Sequence, residues 1–199
     1  VFAWGVAFYG PGVFLQTLHA TKGWPIATIS TAITAHFLIG AAIVAFLPEV
    51  HRALGLAQST IFGAVLTALG IIGWSMSASP SHLFAAAVLS GIGWALTSGA
   101  AINAMIAPWF DKDRPKAISH AFNGASIGGV IFTPLLVAMI SQIGFPQAAL
   151  IFGTAMILVV APLAHRWLRQ GPEQFGLATD GKPSATAATS GVGDSVRSP

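Results

Sequence analysis

The chain alternates between long apolar runs and short polar or charged links. Residues 53–110 and residues 117–165 contain no Asp, Glu, Lys or Arg. A hydrocarbon core of about 30 Å takes about 20 apolar residues in a helix, so each run has room for two membrane-spanning helices. The string WFDKDRPK at 109–116 separates the two runs and is predicted to be a loop in water.

Prolines, glycines and charged links divide the apolar runs into six predicted helical segments. The segments cover about residues 1–18, 27–47, 58–78, 83–108, 117–141 and 147–165. Pro11 interrupts the first segment, and such helix breakers are tolerated in lipid where neighbouring helices satisfy the freed backbone groups. Pro134 is expected to kink the fifth segment. No stretch shows the alternation of a transmembrane barrel, so the pattern predicts an all-α membrane protein with six transmembrane helices.

The chain is predicted to divide into a six-helix transmembrane bundle over 1–169 and a cytoplasmic, largely disordered linker or tail over 170–199. Residues 183–199 are mostly Ser, Thr, Gly, Ala and Pro without apolar periodicity, which is typical of disorder. Val1 stands inside an apolar run with no charged leader before it. We therefore expect the chain to be a fragment of a longer protein rather than one with a cleaved signal peptide.

The composition requires lipid as part of the solvent. Hydrophobic residues make up 54% of the chain and charged residues 8%, with a mean hydropathy of +0.75. Soluble domains carry roughly 25% charged residues. The net charge of +3 does not indicate nucleic acid as a partner, because the cations form no basic stripe. The chain has no cysteine, which excludes disulfides and thiol chemistry from it.

The distribution of cations predicts the orientation in the membrane. If the six segments alternate in direction, Lys22 alone falls on one side and the other eight of the nine Lys and Arg residues fall on the opposite side. Cytoplasmic loops carry the excess of Lys and Arg. The sequence therefore predicts an integral multi-pass protein of the cell (plasma or inner) membrane, with both ends of this chain in the cytoplasm.

Three motifs in the chain resemble landmarks of a known family. They are WFxKxRxxA at 109–117, GWP at 23–25, and GPEQFGL at 171–177 followed by Asp180 and Gly181. Their order and spacing resemble the monocarboxylate-porter-like branch of the major facilitator superfamily. The string RALGL at 52–56 departs from the usual loop between helices two and three and keeps only its glycine. Asp113 also interrupts the expected basic run.

The resemblance implies the N-terminal half of a secondary transporter, built as a 3+3 inverted repeat. Its partners would be the lipid bilayer, a second six-helix half (the missing C-terminal part or a second copy), and a small solute with a proton as candidate coupling ion. The resemblance favours a monocarboxylate or other organic anion. A metabolite or drug efflux permease and a non-transporting six-helix assembly protein remain alternatives. We expect no cofactor, no metal and no enzyme activity, because no carboxylates or histidines cluster at one depth.

Six side chains are candidates for a solute cavity: Tyr9, Gln16, His36, Trp94, Asn103 and Asn123. His36 is either a proton relay or a neutral histidine bonded between helices, and the lack of any carboxylate in a helix favours the second role. Asn103 and Asn123 flank the central loop and are expected to share an interhelical hydrogen bond, with substrate contact as the alternative. The resemblance adds Tyr9 and Gln16, since helices one and four line the family's cavity. Trp94 either walls that cavity or faces lipid.

Two loops, 49–57 and 111–116, are predicted to form a cytoplasmic gate. The gate residues are Arg52, Gly55, Asp111, Lys112, Arg114 and Lys116. The hypothesis is that the three cations of the second loop form salt bridges that close the inner face. Several glycines are interpreted as helix-packing positions, where backbones approach closely. These glycines are Gly91, Gly99, Gly124, Gly128 and Gly129.

Overall fold

Helices form the architecture of residues 2–181, which are the residues that the computed structural model describes. In this range the α-helices are α1 Gly10–Lys22, α2 Ile26–Ala45, α3 Leu47–Met76, α4 Pro80–Leu96, α5 Gly99–Ile106, α6 Arg114–Ile127, α7 Thr133–Ile143 and α8 Phe145–Trp167. A π-helical stretch, Trp4–Phe8, precedes α1, and a second, Gly128–Phe132, joins α6 to α7. The range contains no β-strand, which confirms the all-α class.

Five helical units in the described range are long and apolar enough to cross a membrane. They are Ile26–Ala45, Leu47–Met76, Pro80–Ile106, Arg114–Ile143 and Phe145–Trp167. The first predicted segment is divided between Trp4–Phe8 and α1 and is not among the five. The number of six spanning helices therefore stays a prediction.

The bundle is organised around α3, which packs against α4 and α8, while α2 packs against α4. Small residues bring these helices close together: a Cβ added to Gly70 would lie 2.5 Å from the Ser90 Cβ. Large apolar side chains face outwards as well as inwards. Leu38 is 65% exposed, Val130 74% and Leu158 68%. Such an apolar exterior is suited to lipid and to further protein, not to water.

The predicted loop at 49–57 is helical in the structure, which corrects the interpretation of the sequence. α3 begins at Leu47 with Pro48 in its first turn, where the N–H that proline lacks would have had no intrahelical acceptor. Gly55 alone departs from helical geometry inside α3, with φ 77° and ψ 161°, a conformation that favours glycine. Arg52 therefore lies on a helix, where it pairs with Glu49 at 3.0 Å. The Gly55 kink separates the charged beginning of α3 from its apolar remainder.

The fourth predicted segment is interrupted instead of running continuously over 83–108. The helix stops at Thr97 and Ser98 and resumes as α5. Both hydroxyls donate to carbonyl oxygens of the preceding turn, at 3.0 Å and 2.8 Å. Side-chain bonds of this kind compete with the backbone hydrogen bonds of a helix, and here they accompany the break.

The fifth segment changes register just before Pro134. The π-helical stretch Gly128–Phe132 ends where α7 begins, with Pro134 in the first turn of α7. A proline has no N–H for the helix and its ring crowds the carbonyl four residues earlier, so a wider turn before it relieves the conflict. Pro11 stands in the same relation to the stretch Trp4–Phe8.

The predicted tail begins at residue 170, and its largely disordered character over 170–199 stays a prediction. Short 3-10 turns occur at Pro172–Phe175 and at Thr179–Gly181. Residues 182–199, where the rest of that prediction falls, lie outside the described residues.

Candidate functional site

The two π-helical stretches pack directly against each other. A Cβ added to Gly5 would lie 2.5 Å from the Phe132 Cβ and 3.0 Å from the Gly128 carbonyl oxygen. The backbones of the first and fifth segments therefore approach as closely as glycine allows. Short π-helical turns are rare and occur often at functional sites. The contact joins the two segments at the places where each departs from α-helical geometry.

A groove opens beside this contact, and we name it the Tyr9 groove. Its volume is about 520 Å³, within the range of about 300–1,000 Å³ typical of small-molecule sites. The lining residues are Tyr9, Ser126, Gly129, Val130, Thr133 and Pro134. The Tyr9 ring lies across Gly129, where an added Cβ would come within 2.8 Å of it. The groove thus offers the Tyr9 phenol and the exposed Ser126 hydroxyl in an apolar wall, whereas the Thr133 hydroxyl oxygen is buried. None of its lining residues is charged.

An aromatic cluster borders the groove on the side of the first segment. The Phe8 ring centroid lies 5.0 Å from that of Tyr9, 5.8 Å from Phe37 and 5.4 Å from Trp94. Trp4 makes an edge-on contact with Trp94 at 5.0 Å. Phe8 is 39% exposed and forms the open surface of the cluster. Trp94, a predicted cavity residue, lies behind Phe8 within this cluster.

His36 lies away from the groove in a buried hydrogen-bond network that joins four segments. Its Nδ1 is 2.8 Å from the Ser90 hydroxyl of α4, and its Nε2 is 3.1 Å from the Ala7 carbonyl oxygen of the first segment. Trp74 of α3 donates its indole N–H to the same hydroxyl at 3.1 Å. Because a carbonyl can only accept, Nε2 carries a proton. A neutral ring accepts at Nδ1 from the Ser90 hydroxyl, whose single proton also lies within reach of the Ala87 carbonyl oxygen at 3.2 Å. No carboxylate of the described residues lies nearby to balance a cation.

Three other predicted cavity residues make no side-chain hydrogen bond within residues 2–181: Gln16, Asn103 and Asn123. Gln16 and Asn123 are exposed, and Asn103 is half-buried. The expected bond between Asn103 and Asn123 is absent although α5 and α6 pack together. The same range contains no group of three or more His, Asp or Glu side chains that could hold a metal ion.

The predicted packing glycines differ in their surroundings. Gly91 packs against the backbone of α2, and Gly99 faces an aromatic ring of α6. Gly129 faces Tyr9, and Gly128 takes part in the contact between the π-helical stretches. Gly124 is half-buried in α6, and its packing role stays a prediction.

The cations of the central charged cluster are mostly on a helix, which corrects the predicted loop at 111–116. Arg114 and Lys116 belong to the first turn of α6. Lys116 pairs with Asp113 at 3.2 Å, and both side chains are largely exposed. In the part of the chain that the structure describes, Lys112 and Arg114 form no ion pair.

The loop between α5 and α6 is bound by the segment that follows α8. One Asp180 carboxylate oxygen accepts the Asp111 N–H at 2.9 Å, and the other accepts the Lys112 N–H at 3.0 Å. The Asp180 N–H donates to the Trp109 carbonyl oxygen at 2.9 Å. The rings of Trp109 and Phe175 lie 6.1 Å apart.

The sequence of these helices matches the Major Facilitator Superfamily over residues 1–196. The chain belongs to this superfamily. It is 30% identical over 155 residues to Monocarboxylate transporter 13 of Bos taurus, which covers 75% of the chain and 35% of that protein. It is 29% identical over 157 residues to MFS-type transporter 1 of Ophiocordyceps sp. (strain BCC 1869), covering 77% of the chain and 34% of that protein. A match to Monocarboxylate transporter 6 of Mus musculus has 30% identity over 104 residues, 52% of the chain and 22% of that protein.

Membership of the superfamily confirms the resemblance read from the sequence motifs. Together with the apolar helices, it identifies the chain as an integral multi-pass membrane protein. The chain spans about a third of the length of the first two relatives. Solute, coupling ion and orientation therefore remain proposals.

Sequence reasoning did not find several residues of the site. Phe8 stands four residues after Trp4 and so shares its helix face, which was an available signal. Ser126 and Thr133 are seven residues apart on one face of the fifth segment, another available signal. No sequence signal pointed to Ser90, because a single serine in an apolar run does not reveal its partner on another helix.

Proposed function

We propose that the chain is one half of a secondary transporter that moves a small solute by alternating access, with the Tyr9 groove as part of the solute path. The open groove with hydroxyl groups in an otherwise apolar bundle is the observation that supports this most. The first and fifth segments frame the groove, and their π-helical contact gives a place where their packing can change. A second six-helix half, from the rest of the protein or from a second copy, would face the groove and rock against this one.

We propose a monocarboxylate or related small organic anion as the solute. Two of the relatives are named as monocarboxylate transporters. Tyr9 and the neighbouring Ser126 hydroxyl supply hydrogen-bond donors for carboxylate oxygens. Residues 53–110 and 117–165 contain no Lys or Arg. The positive charge that pairs with the anion would therefore come from the second half.

The aromatic cluster beside the groove favours a second candidate, the efflux of apolar metabolites or drugs. Phe8, Phe37 and Trp94 offer ring faces and edges that suit an aromatic or aliphatic solute. The absence of charge from the groove lining agrees with an uncharged solute. Uptake measured with a short monocarboxylate and with an uncharged aromatic dye separates the two candidates.

The orientation we propose places the side with eight cations in the cytoplasm. On that side, Lys112, Arg114 and Lys116 would contribute to an inner gate through pairs with the second half, since two of the three make no ion pair in the described part of this chain. Replacing all three by Gln should change the Vmax of uptake by the full-length protein. Unchanged kinetics in a correctly inserted variant would argue against the gate.

The groove is tested by Tyr9→Leu in the full-length protein reconstituted in vesicles. We expect the KM for the transported solute to rise about tenfold, which corresponds to the loss of one hydrogen bond of about 1.4 kcal/mol. The matched control is Phe62→Leu, which also removes an exposed ring, but from α3 and outside the groove. Equal effects of the two variants, or no uptake of any solute class by the parent protein, would remove the support for this site.

A further inference from the structure

The segment after α8 turns back onto the loop between α5 and α6. The Asp180 carboxylate accepts two hydrogen bonds from backbone N–H groups of this loop, and the Asp180 N–H donates a third, all between 2.9 and 3.0 Å. A third N–H, that of Asp113, points to the same carboxylate from 3.5 Å. The residues joined by the carboxylate are 67 to 69 positions apart in sequence. The contact therefore joins two parts of the chain at one end of the bundle that only folding brings together.

The backbone at Asp180 is shaped for this contact. Asp180 has φ 59°, and within residues 2–181 it is the one residue other than glycine with a positive φ. Asp is among the few residues that adopt this conformation at moderate cost, and it does so where the surrounding contacts hold it there. Gly176, with φ 66°, lets the preceding turn reverse direction. The ring contact between Trp109 and Phe175 adds a second point of attachment.

The bound N–H groups stand directly before the first turn of α6. Asp113 is the residue at the start of this helix, and its own side chain makes no capping bond. A carboxylate near a helix N-terminus is favoured by the helix dipole, and charged acceptors make the stronger hydrogen bonds. Asp180 thus adds a second carboxylate, bonded to the backbone, beside the Asp113 carboxylate at the N-terminus of α6. Three cations, Lys112, Arg114 and Lys116, stand on this loop and first turn.

We propose that residues 171–181 form a strap that holds the loop between α5 and α6, and that Asp180 is the positioning residue for the cations of this loop. The strap begins where the bundle ends. Any movement of the chain beyond it is therefore transmitted to the start of α6. The existence of the strap follows from the contacts alone, whereas its effect on transport rests on the proposed function.

The strap is tested by the reactivity of a single cysteine. The chain has no cysteine, so Lys112→Cys gives one label site in this stretch of the full-length protein once cysteines elsewhere are replaced. Asp180→Asn keeps the side-chain shape and tolerates the positive φ, but it turns one acceptor into a donor. We expect the maleimide reaction at position 112 to become at least about fivefold faster in permeabilised membranes, because charge-assisted bonds to the loop are lost.

Glu173→Gln is the matched control, since it removes one negative charge from the same segment and leaves the contact in place. Asp180→Gly keeps the backbone conformation without the carboxylate and should match Asp180→Asn. An unchanged labelling rate in Asp180→Asn, or an equal rise in Glu173→Gln, overturns the strap.

The positioning role is tested by transport kinetics. We expect Asp180→Asn to change Vmax by at least about twofold and to leave KM unchanged, since Asp180 does not line the Tyr9 groove. Faster labelling with an unchanged Vmax overturns the positioning role. If the parent protein transports nothing, the proposed function fails while the labelling experiment still decides whether the strap exists.

Discussion

At the scale of single residues, the His36 network favours one of the two roles that the sequence left open, that of a neutral histidine bonded between helices. Trp74 donates to Ser90 and His36 donates to the Ala7 carbonyl, while the Ser90 proton is shared between Nδ1 of His36 and the Ala87 carbonyl, an arrangement that suits a neutral imidazole. We expect His36→Ala to lower the stability of the protein by about 2 kcal/mol, because the Ala7 carbonyl and the indole chain lose their partner. Thermal unfolding in detergent should show Tm lower by about 5 °C.

His120→Ala is the control for this prediction. His120 is exposed and bonds only to a carbonyl of its own helix, so its loss should change stability by less than about 0.5 kcal/mol. His36→Gln retains one donor and one acceptor, cannot take up a proton near neutral pH, and should recover much of the stability. If proton coupling is present, we expect it to survive in His36→Gln. A flat pH profile of uptake in this variant would instead make His36 the proton acceptor.

At the scale of elements, the contact between the π-helical stretches carries a prediction of its own. We expect Gly5→Ala to destabilise the protein by about 1–3 kcal/mol, because its Cβ would come 2.5 Å from the Phe132 Cβ and neither atom can rotate away. Gly12→Ala is the matched change on α1, where an added Cβ meets nothing within 4 Å. This variant should be neutral or slightly stabilising, since Ala is the better helix former. Equal Tm values for the two variants would contradict the close packing of the stretches.

The elements also show how far a sequence can predict this fold. The apolar runs predicted the five helical units of the described range that are long and apolar enough to span a membrane. Burial in lipid depends on length and composition, which a sequence displays directly. The helical start of α3 was missed, since a charged stretch after Pro48 suits a loop and the first turn of a helix equally well. A kink was predicted at Pro134, but the π-helical form of the stretch before it was not. A proline shows where the helix must depart from α-helical geometry, but the form of that departure depends on packing against the neighbouring segment.

At the scale of the whole molecule, contacts between helix ends agree with the alternating topology. Lys22, at the end of α1, donates to the Ser77 carbonyl that follows α3, and both ends are predicted to lie outside the cell. Asp180 binds the loop between α5 and α6, and both are predicted to lie inside. The sequence predicted the sides from charge alone, but it could not predict these pairings. Apolar helices carry little information on which neighbour they choose, and the pairings depend on small residues and single polar atoms.

The predicted topology determines which side of the membrane single cysteines at the helix ends should face. In intact cells, a membrane-impermeant maleimide should label Lys22→Cys and should not reach Lys116→Cys, because the side with one cation is expected to face outwards. Both side chains are exposed, so local burial does not explain a difference between them. After the membrane is permeabilised, both positions should react at similar rates. Labelling of Lys116→Cys from outside intact cells would invert the orientation, and with it the assignment of the charged loop, the strap and the gate to the cytoplasm.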